Sequence, residues 1–369
     1  MRLTKTAVLL LVGLVIASRA CAEEEEGFTS LFNGRDLGDW VNVNCAPSTW
    51  SVREGMIFCT GIPTGVLHST KQYENFILEA DWMHLKTGGN SGIFVWSGAL
   101  PICGEPFTKA VECQVLDGNH GDVFAIQGAT FVPDRPHPKG WMRCLPSESR
   151  ANPAGQWNHY RIECQAGRVQ LAVNGKVVAG GSKTIPRKGY IVLESEGSDI
   201  YFKNIRVKEL PGSDVPEAEV AEVERGFKSL YTGVDLKGWK VEGGHEGHWQ
   251  AKDWNLVCDG KAEGEKKNLV SEKSYSDFGL IIDWKTPASP VPQQVPIVLG
   301  GVIPDAKIDK KANEWNRALI RVEAGRTKIS VNDGRPIDGP PIGAKETAII
   351  LLHRPEGIAF ANLYVRPLK

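Results

Sequence analysis

The chain reads Gly27-Phe-Thr-Ser-Leu-Phe-Asn-Gly-Arg-Asp-Leu-Gly-Asp-Trp40 near its beginning and Gly226-Phe-Lys-Ser-Leu-Tyr-Thr-Gly-Val-Asp-Leu-Lys-Gly-Trp239 in its second half. A second matching pair, residues 156–168 and 314–326, follows in the same order, and an Asn-Gly or Asn-Asp-Gly turn comes after each member. Similar segments repeated in a constant order indicate a duplicated structural unit. The sequence therefore predicts two copies of one fold.

The two copies differ in their middle parts. The segment between Trp82 and Trp157 in copy one is much longer than the segment between Trp284 and Trp315 in copy two. The residues that copy two lacks include most of the polar groups that could perform chemistry. We therefore expect copy two to be a degenerate repeat that assists copy one by packing against it or by binding sugar.

The hydrophobic pattern is that of β-strands throughout. Apolar and polar residues alternate in residues 76–82, 160–164 and 200–207, and copy two repeats the layout with strand-like runs at residues 278–284 and 318–322. Turn residues separate these runs, and no segment after residue 27 keeps a helical period over three turns. We predict an all-β protein of two β-sandwich or jelly-roll domains in tandem, at residues 27–210 and 226–369, joined by an acidic linker at 211–225.

Composition excludes one class of partner, and the N-terminus predicts a location. Lys and Arg number 43 against 44 Asp and Glu, with no basic run, which argues against nucleic acid as a partner. Arg2 and Lys5 precede an apolar run that is too short to span a bilayer, and small residues end at Ala22. Residues 1–22 therefore read as a signal peptide. We expect an exported protein, periplasmic or extracellular, without stable membrane insertion after cleavage.

The first polar cluster that is particular to copy one is Gly88-Gly-Asn-Ser-Gly-Ile-Phe-Val-Trp96. Glycines on both sides of Asn90 and Ser91 permit a tight turn and a close approach of a ligand to the backbone. Both residues are candidates for binding sugar hydroxyls. An ordinary role as turn residues is the alternative.

The second cluster is the strand-like segment Val111-Glu-Cys-Gln-Val-Leu-Asp117. Alternation puts Glu112 and Gln114 on one face and Asp117 on the other, unless a β-bulge brings Asp117 back. The spacing is similar to the Glu-x-Asp-x-Glu strand with which laminarinase-type jelly-roll glucanases aim carboxylates into a cleft. The alternative is an exposed polar face of an antiparallel sheet.

The third cluster is the loop Asp117-Gly-Asn-His-Gly-Asp122. His120 could serve as a general base, because the pKa of a free imidazole lies near neutrality; a solvated loop histidine is the alternative. Asp117 and Asp122 suggest a divalent cation such as Ca²⁺, although the order of ligands in a helix-loop-helix calcium site is absent. Metal binding therefore stays open, with no cofactor certain.

Together these motifs resemble the 3-keto-disaccharide hydrolase domain family. The likeness runs in order through residues 27–210 and rests on the opening motif, Gly89-Asn-Ser-Gly-Ile93, Glu112-x-Gln114, His120-Gly-Asp-Val-Phe124 and Trp157-Asn158. It implies a concanavalin A-like jelly roll, secretion, and action on a glycoside or oligosaccharide oxidised at C3. Copy two keeps the opening motif and Trp315-Asn316 but has neither Asn-Ser-Gly nor Glu-x-Gln.

The resemblance also implies roles. Glu112 and His120 would be an acid/base pair that removes the C2 proton of a 3-keto sugar, and Asp117 would orient His120 or hold a cation. Gln114, Asn90 and Ser91 would orient hydroxyls or stabilise the oxyanion, with Asp122 as a further binding candidate. Trp96 stands where the family pattern has Arg, so contacts there are expected to differ. Ordinary hydrolysis by Glu112 with Asp117 is the rival mechanism.

A lectin-like binding protein without turnover is the competing function, because this fold hosts binders as well as enzymes. Trp40, Trp96 and Trp141 could stack on sugar rings, and positions in the core are the alternative for these tryptophans.

Overall fold

The computed structural model describes residues 26–243, 245–287, 293–305 and 308–368, and within them the chain forms 28 strands in four antiparallel sheets. The expected signal peptide at 1–22 lies outside these residues. The helices of the described part are two single 3₁₀ turns, Glu217–Glu219 and Glu246–His248. None of its helices combines the length and the apolar character needed to cross a bilayer.

Copy one contains sixteen strands that build two sheets. They are β1 Thr29–Ser30, β2 Trp40–Val43, β3 Trp50–Arg53, β4 Met56–Cys59, β5 Gly65–Tyr73, β6 Phe76–His84, β7 Gly92–Ser97, β8 Ala110–Gln114, β9 Val123–Ile126, β10 Thr130–Pro133, β11 Arg143–Cys144, β12 Asn158–Gln165, β13 Arg168–Val173, β14 Lys176–Ile185, β15 Gly189–Ser195 and β16 Ile200–Glu209. The nine-stranded sheet has the order β10-β14-β13-β12-β6-β16-β4-β3, with β1 also paired to β16. The seven-stranded sheet has the order β11-β9-β8-β7-β15-β5-β2.

Copy two contains twelve strands that build two smaller sheets. They are β17 Lys228–Ser229, β18 Trp239–Val241, β19 Trp249–Lys252, β20 Asn255–Cys258, β21 Leu269–Tyr275, β22 Phe278–Lys285, β23 Ile297–Leu299, β24 Asn316–Glu323, β25 Arg326–Val331, β26 Ile337–Gly339, β27 Thr347–Leu351 and β28 Ile358–Pro367. The eight-stranded sheet has the order β19-β20-β28-β22-β24-β25-β26, with β17 paired to β28. The four-stranded sheet has the order β18-β21-β27-β23. Each copy is a sandwich, as the sequence predicts.

The repeated motifs form the same contacts in both copies. The indole nitrogen of Trp40 donates to the carbonyl of Leu31 at 2.9 Å, and that of Trp239 donates to Leu230 at 2.6 Å. Both tryptophans are buried in the cores of their sandwiches. Trp40 is therefore a core residue, and stacking on a ligand, which the sequence left open for it, does not fit this position.

The two copies pack against each other through the outer faces of the seven-stranded and eight-stranded sheets. Val66, Phe94 and Val192 of the first copy lie in one buried apolar cluster with Ile281 and Tyr364 of the second. Burial of apolar side chains on this scale is the main source of stability at such an interface. Copy two thus covers part of the sheet that carries the polar clusters.

Residues 211–225, predicted to be a linker, follow the surface of copy one closely. The backbone N–H of Ala221 donates to Lys188 at 2.8 Å, and that of Ala99 donates to Glu222 at 3.1 Å. The backbone N–H of Glu224 donates to the hydroxyl of Tyr190 at 2.9 Å. These bonds fix the direction in which the chain enters copy two.

A buried ion pair of copy two holds a loop of copy one. Asp283 accepts hydrogen bonds from Arg317 at 2.7 and 2.8 Å, from Asn362 at 2.7 Å and from the backbone N–H of Gly104 at 2.8 Å. Arg317 also donates to the carbonyl of Pro101 at 2.9 Å. The β7–β8 loop therefore completes the hydrogen bonding of a charged pair that the interface has removed from water.

Copy one has the same arrangement at an uncovered position. Asp81 accepts from His159 at 2.7 Å and from Asn204 at 2.6 Å, in the strand register that Asp283 has with Arg317. The side chains of Asp81 and His159 are 19 % and 42 % exposed, whereas those of Asp283 and Arg317 are 0 % and 22 % exposed. Copy one therefore has a histidine in place of the arginine at the position where water can also solvate the aspartate carboxylate.

The strand register also shows how the outer faces of the two long sheets differ. In copy one, Glu79 forms ion pairs with Arg161 and Arg206. The equivalent positions of copy two hold apolar or aromatic side chains, namely Ile281, Leu319 and Tyr364. At these three positions the outer face of copy two is apolar or aromatic, whereas that of copy one is charged.

We predict that Asp283→Asn lowers the free energy of unfolding by about 3 kcal/mol, because it leaves Arg317 without a charged partner in a buried site. The equivalent substitution in copy one, Asp81→Asn, should cost about 1 kcal/mol or less, because its partner is half exposed. Urea unfolding of the full chain at pH 7 measures both. Equal losses would contradict the role assigned to the interface.

Candidate functional site

The remaining outer face of the seven-stranded sheet carries a cluster of acidic side chains. Strand alternation points them away from the core, since their neighbours Val111, Cys113 and Leu193 lie between the two sheets. The pairing of β8 with β7 and β9 and of β7 with β15 brings them together. The members of this carboxyl cluster are Glu112, Asp122, Glu194 and Glu196.

Two of these carboxyl groups converge above Gly92. A side-chain carbon at position 92 would lie 2.8 Å from Oε2 of Glu194 and 2.9 Å from Oε1 of Glu112. Only glycine leaves room for both groups, which explains the glycine after Asn-Ser in the first motif. Glu112 is 8 % exposed and Glu194 is 2 % exposed, so both acids lie at the bottom of the site.

Burial shifts the ionisation of the cluster toward the neutral form. Loss of hydration raises the pKa of Glu112 to about 8, and the neighbouring charge of Glu196 adds to the shift. The pKa of Glu194 is also raised well above its usual value, first by burial and then by Glu112. Burial also raises the pKa of Glu196. At neutral pH the cluster therefore holds protons that it can give up or take back.

Arg143 supplies a positive charge beside the carboxyl cluster. Its guanidinium group pairs with Asp122 and lies 4.5 Å from the centre of the Phe124 ring. This charge opposes the rise in the pKa of Glu112, while burial still raises the pKa of Asp122. Arg143 thus limits how far the cluster is neutralised.

Two further residues expected from the sequence lie on this face. Asn90 donates from its amide nitrogen to Glu196, and its Oδ1 atom is buried without a hydrogen-bond partner. Gln114 accepts the backbone N–H of Val115 at 2.9 Å and is partly exposed. Both side chains stand beside Glu112 or Glu196, as a binding role requires.

Ser91 and Trp96 lie elsewhere, and a substrate-binding role does not fit either of them. The hydroxyl of Ser91 donates to the carbonyl of Glu194 at 2.8 Å, and the side chain is fully buried. Trp96 is also fully buried and donates its indole N–H to the carbonyl of Glu74 at 2.7 Å. Ser91 alternates with Gly92 and therefore faces the core, and Trp96 packs against Phe76 in that core.

His120 does not meet Glu112. Its ring stacks on Trp82 in the core at 5.0 Å, on the side of the sheet opposite to the carboxyl cluster. Burial lowers the pKa of His120 to about 4, so the ring is neutral at neutral pH. The acid/base pair of Glu112 and His120 expected from the sequence is therefore not assembled.

Asp117 also lies away from Glu112, because the chain keeps the β7–β8 pairing register beyond the end of β8, without a bulge. Its backbone N–H donates to Gly89 at 2.8 Å in the same register as the β7–β8 pairs, and its Oδ2 accepts from Gly88 at 2.8 Å. The distance from its Oδ1 to Nε2 of His120 is 4.0 Å, too long for a hydrogen bond. Asp117 closes the loop and neither orients His120 nor joins Glu112.

The calcium site considered for Asp117 and Asp122 is not formed by these two residues. Asp122 faces outward and pairs with Arg143, whereas Asp117 binds the backbone of Gly88. Among the described residues, no three His, Cys, Asp or Glu side chains are arranged to hold a metal ion.

Trp141 is available to a ligand. It is 50 % exposed, and its ring stacks on that of His137 at 4.3 Å with an angle of 10° between the planes. It lies just before β11, the strand that carries Arg143. Stacking on a sugar ring fits this position, at the edge of the sheet that holds the cluster.

Sequence reasoning missed Glu194, Glu196 and Arg143. The first two alternate in Ile191-Val-Leu-Glu-Ser-Glu-Gly197, which reads as a strand with two acids on one face. In copy two, Leu269 pairs with Leu351 as Leu67 pairs with Leu193 in copy one, so Leu351 is the equivalent of Leu193. Leu352 and Arg354 of copy two therefore occupy the positions of Glu194 and Glu196. This difference between the copies was a signal in the sequence.

One protein family matches most of this chain. The 3-keto-alpha-glucoside-1,2-lyase-like domain matches residues 27–208 and 226–294. A 3-keto-disaccharide hydrolase of Bacteroides thetaiotaomicron is 25% identical over 239 residues, which make up 51% of this chain and 80% of the relative. A crystal structure of a glycosyl hydrolase of Parabacteroides distasonis, described as putative, covers 50% of this chain and 95% of its own, with 24% identity and a TM-score of 0.41.

We predict that Glu112→Gln changes how stability depends on pH. The folded protein keeps the Glu112 proton up to about pH 8, whereas the unfolded chain releases it near pH 4.5. Glu112 therefore costs stability as the pH rises from 4.5 to 8. The variant should lose less unfolding free energy than the wild type over this range, by at least about 1 kcal/mol. Urea unfolding at pH 5 and pH 8 measures the difference.

The exposed turn residue Glu54 provides the control for this experiment, as Glu54→Gln should follow the wild type at both pH values. Parallel pH profiles for wild type and Glu112→Gln would contradict the raised pKa of Glu112.

Proposed function

The chain belongs to the 3-keto-alpha-glucoside-1,2-lyase-like domain family, and we propose that its first copy cleaves the glycosidic bond of 3-keto-glycosides. The observation that carries the proposal is the convergence of Glu112 and Glu194 above Gly92 in a buried acidic site. A carboxyl group whose pKa lies near neutrality suits a general base that must accept a proton and return it.

The proposed reaction starts at C2 of the sugar. A ketone at C3 makes the C2 proton acidic, and the Glu112 carboxylate removes it to give an enolate. The enolate electrons form the C1–C2 double bond as the C1–O bond breaks, and the leaving oxygen takes up a proton. Water then adds to the enone to complete hydrolysis, or the enone itself is released. One base and one acid are enough for this route, in contrast to the two flanking carboxylates of ordinary glycosidases.

Glu194 is the acid in this proposal. It shares the space above Gly92 with Glu112, and burial together with the neighbouring Glu112 raises its pKa, which favours the protonated form. A protonated carboxyl can donate to the leaving oxygen or to the enolate oxygen. Asn90 and Gln114 stand close enough to bind hydroxyls, and Arg143 can attract the negative charge that develops. Glu194 takes the role that the sequence suggested for His120.

Sugar binding without turnover is the second candidate, and exposed Trp141 favours it. An aromatic ring stacked on His137 beside the site is suited to hold a sugar face. The same ring serves an enzyme equally well, so turnover separates the two functions.

We also propose that the protein is exported. The support is the sequence of residues 1–22, with basic residues before a short apolar run. N-terminal sequencing of the protein expressed in a bacterial host with its leader should find a mature start just after Ala22. An intact N-terminus in the cytoplasmic fraction would contradict export.

The activity test is incubation of the mature protein with a 3-keto-glucoside, followed by mass spectrometry. We expect cleavage by the wild type and a loss of at least about a hundredfold in kcat for Glu112→Gln, because the general base is removed. The rate should rise with pH toward about 8, where the Glu112 carboxylate forms.

Two outcomes would contradict the proposal, and a third would extend it. Turnover by a correctly folded Glu112→Gln variant would exclude Glu112 as the base. Sugar binding by the wild type without cleavage would shift the function to a binding protein. Loss of cleavage in EDTA would add a metal ion to the site.

A further inference from the structure

A hairpin of copy two reaches the carboxyl cluster of copy one. The turn between β19 and β20 holds Asp253 with a backbone φ of 57°. Its Oδ1 accepts the backbone N–H of Thr64 at 2.5 Å, and its Oδ2 accepts the hydroxyl of the same threonine at 2.7 Å. Two hydrogen bonds from one residue fix the plane and the direction of this carboxylate.

Thr64 places that carboxylate beside the site. The next residue, Gly65, pairs with Ser195, which lies between Glu194 and Glu196. The hydroxyl of Ser195 also donates to the carbonyl of Pro63 at 2.8 Å. Asp253 therefore stands at the Glu196 end of the cluster, and its charge adds to burial in raising the pKa of Glu196.

The contact is closely packed on both sides of Asp253. A side-chain carbon at Gly233 would lie 2.4 Å from Cγ of Pro63, so copy two approaches as near as a glycine allows. The indole N–H of Trp254 donates to the carbonyl of Gly104 at 3.4 Å. Asp253 nevertheless remains exposed to solvent. The carboxylate of Asp253 is therefore held in a fixed position and can still be reached by a ligand.

We infer that copy two completes the substrate site of copy one, with Asp253 as a binding residue for a hydroxyl of the glycoside. Each oxygen of the carboxylate accepts one protein hydrogen bond and can accept another from a sugar. Asp253 would then bind the substrate at the Glu196 end while Glu112 acts on C2. This inference rests on the proposed function and makes the substrate class more specific: a glycoside with a free hydroxyl that reaches copy two.

Copy one contains a matched control. Glu54 occupies the equivalent turn between β3 and β4, with a φ of 51°, and is also exposed. Its hairpin belongs to the nine-stranded sheet, which does not carry the carboxyl cluster. Glu54 and Asp253 therefore share backbone and exposure and differ in their distance from the site.

The experiment compares Asp253→Asn, Thr64→Val and Glu54→Gln in the full chain, with a 3-keto-glucoside as substrate. We expect Asp253→Asn to raise KM about fivefold to tenfold, the loss of one charge-assisted hydrogen bond, with kcat within about twofold of the wild type. Thr64→Val should raise KM less, because the backbone N–H still holds the carboxylate. Glu54→Gln should leave both constants unchanged.

A melting curve for each variant separates binding from packing. A lower Tm with an unchanged KM for Asp253→Asn would overturn the inference, as would an equal rise of KM in Glu54→Gln. Calorimetric Kd values for the same glucoside keep the test independent of turnover. If the wild type binds without cleaving, the proposed function fails, and a Kd for Asp253→Asn about fivefold to tenfold weaker still supports the role of Asp253.

Discussion

The outer face of the seven-stranded sheet is the surface on which the structure depends, because it serves two opposed purposes. Its apolar part, with Val66, Phe94 and Val192, is buried against copy two. Its acidic part holds the carboxyl cluster, whose charges would prefer water. Phe94 belongs to both parts, since it pairs across the strands with Glu112. The apolar and acidic parts of this face are therefore contiguous, and burial of the carboxyl groups weakens their acidity.

This division explains why the duplicated unit has diverged so unevenly. Copy one keeps the long middle segment, the glycine beneath two carboxyl groups and the strand that carries Glu194. Copy two keeps the framework contacts of Trp239 and Asn332 but replaces the acids with Leu352 and Arg354. In our proposal, copy two contributes a packing surface and the carboxylate of Asp253. It therefore needs no pair of carboxyl groups for proton transfer.

Local patterns in the sequence were enough to predict the two sandwiches, because the repeats and the alternating strands are local signals. Alternation also placed Glu112 and Gln114 on one face. It could not tell which strands would become neighbours, so Glu194 and Arg143, from distant parts of the chain, were missed. Ser91, Asp117 and His120 resemble site residues in composition, but contacts from elsewhere in the fold decide where they point. Ser91 bonds to the carbonyl of Glu194, Asp117 binds the backbone of Gly88 in its loop, and His120 stacks on Trp82.

The contact between the copies joins the outer face of the seven-stranded sheet, the front of copy one, to the outer face of the eight-stranded sheet, the back of copy two. A heterologous contact of this kind can be repeated into a ring or a filament. A third unit could pack against the outer face of the nine-stranded sheet, the back of copy one, if that face were apolar at the positions where copy two is apolar. Glu79, Arg161 and Arg206 stand there instead of Ile281, Leu319 and Tyr364. Burying this ionic group against an apolar front would cost more than the contact returns. The three charged residues thus make the back of copy one unsuited to receive a further unit.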